Sequence, residues 1–206
     1  MINMTTATAN QDFLTALRER RSIYGIGNSS PIPDAKIEQI VADIVKYMPS
    51  AYNSQSTRLV LLLGKHHQKF WEIAEEVVKA IMPSEKFQTA QARLQSFRNG
   101  YGTVLFFEDQ AVVEEFQQKF PMNQELFPVW SEQTNGMHQY AVWVALEAEG
   151  LGASLQHYNM VEERAKAEWE LPETWRMIAQ MPFGTPTQEP RAKEVKPVEK
   201  RMRVFR

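Results

Sequence analysis

The sequence predicts an α+β fold, on three observations. Apolar residues recur at helical spacing over most of the chain. Only a few short runs, at 59–63, 103–107, 153–158 and 175–181, read as strands. Helical segments outnumber those runs and do not alternate with them regularly, which argues against a doubly wound parallel sheet.

The elements follow in order. A helix opens at Asn10 or Gln11 and runs to Arg21, with Phe13, Leu14 and Leu17 on one stripe. Gly25 and Gly27 break it, and Pro31 and Pro33 carry the chain to a second helix with Asp34 as its N-cap and Ile37, Ile40, Val41, Ile44, Val45 and Met48 at helical spacing. The buried strand 59–63 ends at Gly64. A third helix spans 68–81, and Pro83-Ser84 starts a fourth that ends at Asn99-Gly100. After strand 103–107, two or three helical segments fill 110–149. The last of them, 137–149, is apolar nearly all round and is therefore expected in the core or at a subunit interface. Gly150-Leu-Gly152 leads to strand 153–158, helix 161–169 and strand 175–181, which ends at Pro182-Phe-Gly184. Residues 194–205 read as an extended arm.

At 206 residues, with 43% hydrophobic and 11% aromatic side chains, the chain suits one domain with a substantial core, 1–206, whose residues 190–206 form a basic arm. The net charge of −2 argues against a nucleic-acid partner over the whole surface. Residues 191–206 carry seven Lys/Arg against two Glu, net +5, which by subtraction leaves −7 on residues 1–190. The absence of cysteine excludes disulfides, thiol nucleophiles and thiolate metal sites. No stretch reaches the ~20 apolar residues of a membrane span. The first ten residues hold no apolar signal segment, so a cytoplasmic location is expected.

Pro49-Ser-Ala-Tyr-Asn-Ser-Gln55 joins the second helix to the first strand without a long aliphatic side chain. Taken alone it reads as a turn, because Pro49 stops the helix and Ser, Asn and Gln favour turns. It equally presents hydroxyls, amides and backbone N–H groups to a polar planar ligand. Arg20-Arg21-Ser22 at a helix end either complements the helix dipole or offers bidentate donors to a phosphate. Arg201 and Arg203, two apart on an extended segment, share a face and suit the same anion. Of the four histidines, His66 and His67 open a helix without an i+4 partner, which speaks against a metal, and His157 falls at a strand end near a pocket. There is no Gly-x-Ser-x-Gly elbow, and neither Gly25-x-Gly27 nor Gly150-x-Gly152 has a dinucleotide-binding context.

Arg20-Arg-Ser-Ile23, Pro49–Gln55, Gly150-Leu-Gly152 and the basic C-terminal segment together resemble the nitroreductase family of flavoenzymes. The runs Gln55-Ser-Thr-Arg58, Gln156-His-Tyr-Asn159 and Lys196-Pro-Val-Glu-Lys-Arg201 are similar to its fatty-acid-repression-mutant-like (Frm2-type) subgroup. The resemblance implies a central, mostly antiparallel or mixed sheet flanked by helices, in a homodimer binding one FMN per interface with its tails exchanged. By the same resemblance Arg20, Arg21, Ser22, Arg201 and Arg203 hold the FMN phosphate; Ser50, Asn53 and Gln55 line the ring and ribityl; and Gln156, His157 and Tyr158 reach the ring edge.

Many relatives carry a lysine two residues beyond the motif serine, where this chain has Tyr24. Arg58 is nominated as the cation that replaces it. The implied activity is ping-pong reduction of nitroaromatics, quinones or similar acceptors by NAD(P)H, with no acid–base dyad, no metal, no nucleic acid and no membrane, and with Tyr52, Phe97 or Trp130 as aromatic gates. The alternative is an FMN-binding regulatory or stress-response protein of slow turnover, linked to lipid or redox signalling.

Overall fold

A computed structural model describes residues 12–206. Its helices are α1 (Phe13–Glu19), α2 (Asp34–Tyr47), α3 (Gly64–Ile81), α4 (Ser84–Arg98), α5 (Gln110–Lys119), α6 (Phe127–Ala148) and α7 (Glu162–Glu168). The strands are β1 (Ile26–Gly27), β2 (Thr57–Leu63), β3 (Gly102–Asp109), β4 (Gly152–Ala153) and β5 (Trp175–Pro186). The sheet runs β1-β5-β3-β2, with β4 also on β5, and every strand pairing is antiparallel. The α+β expectation holds.

The run Val104-Leu-Phe-Phe107 on β3 is buried throughout because helices cover both faces of the sheet. Alternation sends Leu105 and Phe107 to a core shared with α3, α4 and α7, including Phe70, Trp71, Leu94, Phe97 and Ala165. Val104 and Phe106 point the other way, to Ile37 and Val41 of α2 and Val142 and Leu146 of α6. The result is three layers, helix, sheet and helix.

Several boundaries differ from expectation, each for a local reason. Asp34 begins α2 rather than capping it, and its carboxylate accepts from the Tyr101 hydroxyl. α3 starts at Gly64, because a glycine at φ +51° lets β2 turn straight into a helix. β5 runs on through Pro182-Phe-Gly184 to Pro186. At Gly184 a Cβ would sit 2.1 Å from the Gly27 carbonyl oxygen, so only glycine lets β1 lie against β5 there. α6 begins ten residues before the expected 137, with a proline in its first turn, a position that tolerates a missing N–H. Strand 153–158 shortens to β4 plus a bridge between Gln156 and Gln180. The tail forms no strand, only the turn Val198–Lys200, and lies exposed.

The expected opening of the first helix at Asn10 or Gln11 lies outside the described residues. Asp12 caps α1, its carboxylate accepting from the backbone N–H of Leu14 and Thr15. The stripe on α1 is there, but Phe13, Leu14 and Leu17 are 61%, 55% and 39% exposed, and only Ala16 is buried. α6 is central as expected on its sheet-facing side, while Val129, Met137 and Tyr140 remain uncovered. No described helix is long and apolar enough to cross a membrane.

His67 is fully buried in α3. Its Nε2–H donates to the Arg98 carbonyl (3.1 Å), so Nδ1 accepts from the Thr103 hydroxyl (2.8 Å), which in turn accepts from the Trp71 indole (3.0 Å). Burial pushes the imidazole down to about 4, so the folded protein keeps it neutral. The unfolded chain takes up that proton below pH 6.5, so this group's contribution is complete above 6.5 and is lost as pH falls through about 4. The loss is roughly 3 kcal/mol. Urea unfolding at pH 7 and pH 4.5 is expected to show a smaller acid-induced drop for His67→Gln than for wild type. Equal drops would refute it.

Candidate functional site

Arg20, Arg21 and Ser22 lie between α1 and β1. Ser22 bridges to Ala153, and the Ile23 N–H donates to the Ala153 carbonyl (2.9 Å). With Ile23 buried, the motif is clamped to the Gly150-Leu-Gly152 turn and its polar side chains are left at the surface. There Arg20, Arg21, Ser22 and Tyr24 form a cleft of about 390 Å³ with tail residues 191–194. The Arg21 guanidinium donates to the Arg191 carbonyl, which fixes the tail wall. Arg20, Arg21, Arg191 and Lys193 face a single carboxylate, Glu194. Four cations to one anion is the charge pattern of an anion site. The Arg20 guanidinium packs 4.3 Å from the Trp143 ring centre, and its Nε is buried with no hydrogen-bond partner.

The loop 49–55 builds a second cleft. Tyr52, Asn53 and Gln55 all adopt positive φ (55°, 55° and 51°), a strained conformation for residues other than glycine. The strain is held by Asn53 N–H to the Ser50 carbonyl (2.9 Å), Ser54 N–H to the Ala51 carbonyl (3.1 Å) and Gln55 N–H to the Ser50 hydroxyl (2.9 Å). Ser50, Gln55, Thr57, Arg58, His138 and Trp175 line about 230 Å³ of space with apolar Val45, Met48 and Leu59. Arg58 donates to the Gln55 carbonyl (2.7 Å) and pairs with Asp109 (3.1 Å). His138 Nδ1 donates to the Thr134 carbonyl (2.9 Å), and burial lowers its pKa, which leaves a neutral ring at the cleft wall.

Beneath this loop, the fully buried Glu108 carboxylate accepts from the Ser56 hydroxyl (2.6 Å), the Thr57 hydroxyl (2.5 Å) and the Asn135 amide (2.9 Å). Burial raises its pKa and the three donors pull it back down. The network ties the exit of the loop to β3 and α6.

The nitroreductase family model matches residues 17–185. The chain belongs to this family. HBN1 of Saccharomyces cerevisiae is 40% identical over 181 residues, covering 86% of this chain and 90% of that protein. The nitroreductase FRM2 of the same yeast is 35% identical over 185 residues, covering 88% and 92%. The Frm2-type resemblance therefore holds. The nitroreductase CinD from Lactococcus lactis, solved in complex with chloramphenicol, superposes with a TM-score of 0.86 at 38% identity, covering 95% of this chain and 100% of that one.

In this nitroreductase the expected residues separate into three groups. Arg20, Arg21 and Ser22 share the first cleft; Ser50, Gln55 and Arg58 share the second, with Asn53 exposed on its loop. Gln156 is buried, donating to the Ser154 hydroxyl (3.0 Å), and the Tyr158 ring packs into the core against Trp71 and Phe97. Of that segment His157 alone exposes its side chain. Arg201 and Arg203 lie on the exposed tail and line neither cleft. The tail cations that do line one, Arg191 and Lys193, were visible in the sequence only as part of the basic run.

Phe97 is fully buried 4.9 Å from Trp71, so it cannot act as a gate. Tyr52 and Trp130 stack at 5.8 Å with an interplanar angle of 21°, next to Phe120 and Phe127. The Asn123 amide donates to the Tyr52 hydroxyl (2.8 Å), so the patch is held in place at the surface.

Proposed function

We propose that this nitroreductase is an FMN-dependent oxidoreductase that reduces nitroaromatic, quinone or similar acceptors with NAD(P)H. The observation that carries the reading is the first cleft, four cations and one carboxylate beside the Ser22 hydroxyl, in a chain of this family. Its residues fit a phosphate: the guanidinium groups supply forked donors, Ser22 a short one, and the Nε of Arg20 is a buried donor without an acceptor. Arg20, Arg21 and Ser22 hold the phosphate in this reading, with tail cations, Arg201 and Arg203 included, closing over it. FMN, when bound, supplies the hydride chemistry, accepting from NAD(P)H in one half-reaction and giving to the acceptor in the other.

The chain's own residues position and gate. Ser50, Asn53 and Gln55, on a loop fixed by strained φ angles and the Glu108 network, present polar groups and backbone to a planar ring. The segment 156–158 offers backbone and His157, because its other two side chains are turned inward. The exposed Tyr52 and Trp130 pair forms an aromatic face at the entrance, suited to stacking a flat acceptor. CinD binds chloramphenicol, and an acceptor bearing a nitro group is proposed here by analogy.

The two clefts use different segments of the chain, and a homodimer is the proposed way to bring one subunit's phosphate group against the other's loop. Uncovered apolar side chains support it: Phe13, Leu14 and Leu17 on α1, Met137 and Tyr140 on α6, and Val195, Met202, Val204 and Phe205 on the tail. β2 is an open sheet edge, where an extended arm can add.

The test is the visible spectrum of the purified holoprotein under anaerobic conditions. NADH or NADPH is expected to bleach the flavin band, and a nitroaromatic acceptor to restore it. Bound flavin that stays oxidised under both nucleotides would overturn the reading.

A further inference from the structure

Most arginines with a printed ion pair face a carboxylate: Arg58 meets Asp109, Arg98 meets Glu72, Arg164 meets Glu76 and Arg176 meets Glu132. Arg93 and Arg191 do something else. Both guanidinium groups sit over the ring of Tyr24, 5.7 Å and 5.8 Å from its centre. Neither has a carboxylate within ion-pair distance among the described residues. Arg93 comes from α4 and Arg191 from the tail, so two distant segments converge on one neutral ring.

A cation over an exposed aromatic face gains about 0.5–1 kcal/mol, enough to hold a side chain in place without neutralising it. Two like charges sharing one ring also repel, and an anion placed beside them relieves that repulsion. Tyr24 and Arg191 both line the cleft that holds Arg20, Arg21 and Ser22. Arg93 reaches the same neighbourhood from the other side. Burial raises the Tyr158 hydroxyl and the charge of Arg93 opposes that rise, which puts the guanidinium within electrostatic reach of segment 156–158. Positive charge is thus concentrated between the two segments that flank the proposed ring site.

We propose that Arg93 and Arg191, held on Tyr24, supply the positive charge that favours the reduced form of the bound flavin ring. The inference rests on the flavin reading of this cleft. Its chemistry is simple: hydride uptake by a neutral ring adds one negative charge, so a nearby uncompensated cation stabilises the reduced form more than the oxidised one. It also displaces Arg58 from that role, because Asp109 already balances the Arg58 charge and Arg58 lines the other cleft.

The experiment uses FMN-loaded wild type, Arg93→Ala, Arg191→Ala and Arg93→Lys, with two readouts besides turnover. The first is the two-electron midpoint potential, and the second is the affinity of the oxidised holoprotein for sulfite, which also leaves the ring negatively charged. Each alanine variant is expected to favour reduced flavin about tenfold less, a midpoint about 30 mV lower. Sulfite is expected to bind about tenfold more weakly, by the same charge argument. Arg93→Lys keeps the charge and is expected to recover most of both. Arg93 is exposed on α4, so its variants fold, and an unchanged melting temperature checks that.

Alanine variants with unchanged potential and sulfite affinity overturn this assignment and leave the flavin reading standing. Weaker FMN affinity at an unchanged potential places the two arginines at the phosphate and overturns it too. A wild-type protein that takes up no FMN overturns the flavin reading, and this assignment with it.

Discussion

Ending the chain at Pro190 is expected to give a monomer that binds FMN at least about a hundredfold more weakly. The deletion removes seven Lys/Arg and two Glu, so the chain loses five net positive charges from the side that carries the proposed phosphate site. Arg191, Ala192, Lys193 and Glu194 are one wall of the first cleft, and two of its four cations go with them. The apolar side chains of the arm go as well, and Phe205 is 93% exposed in the single chain. Burying such a side chain against a partner contributes roughly 1.5–3 kcal/mol. The globular part keeps its sheet and both cores, since the tail joins neither. Light scattering with an FMN titration reads both effects. A truncated protein that remains a dimer with wild-type FMN affinity would show that the arm is only a solvated end.

The second large effect is expected at Glu108. Replacing it with alanine strands the Ser56 and Thr57 hydroxyls and the Asn135 amide, all buried donors, and opens a cavity under the ring loop. Together these are expected to cost roughly 3–5 kcal/mol of stability. FMN affinity is expected to fall with it, because Ser56 and Thr57 directly follow Gln55 and fix the exit of a loop with three positive-φ residues. Glu108→Gln keeps an acceptor and the volume, and is expected to lose less than half as much. Urea unfolding and an FMN titration on the same samples measure both. Full stability in Glu108→Ala would mean that the three donors find other partners and that the loop is held by its own turn.

What the sequence disclosed and what it hid divide along physical lines. β2, β3 and β5 were legible because apolar runs bounded by glycine or proline have few other solutions in a chain this size. The early part of α6 was not, because Ser131, Thr134, Asn135 and His138 are polar yet buried, and a hydrophobic pattern breaks where a helix turns hydrogen-bonding groups inward. Asn135 is there to serve Glu108, which itself reads in sequence as the end of a strand. α1 shows the opposite case: its stripe was correctly seen, but its apolar face has no cover within one chain.

The site was legible as segments rather than as side chains. Arg20, Arg21 and Ser22 share a cleft, and so do Ser50, Gln55 and Arg58, as their motifs suggested. Gln156 and Tyr158 face inward, because a two-residue β4 and the Gln180 bridge set which way that segment turns. Arg93 carried no signal at all, since its partner Tyr24 lies 69 positions away in sequence and only the packing of α4 joins them.

FMN and riboflavin differ only by the phosphate, so a calorimetric comparison of the two on apoprotein tests the anchoring directly. FMN is expected to bind at least about a hundredfold more tightly than riboflavin, with an affinity that weakens as salt is raised. Equal affinity for the two, or no binding of either, would contradict a flavin phosphate held by the arginines of this cleft.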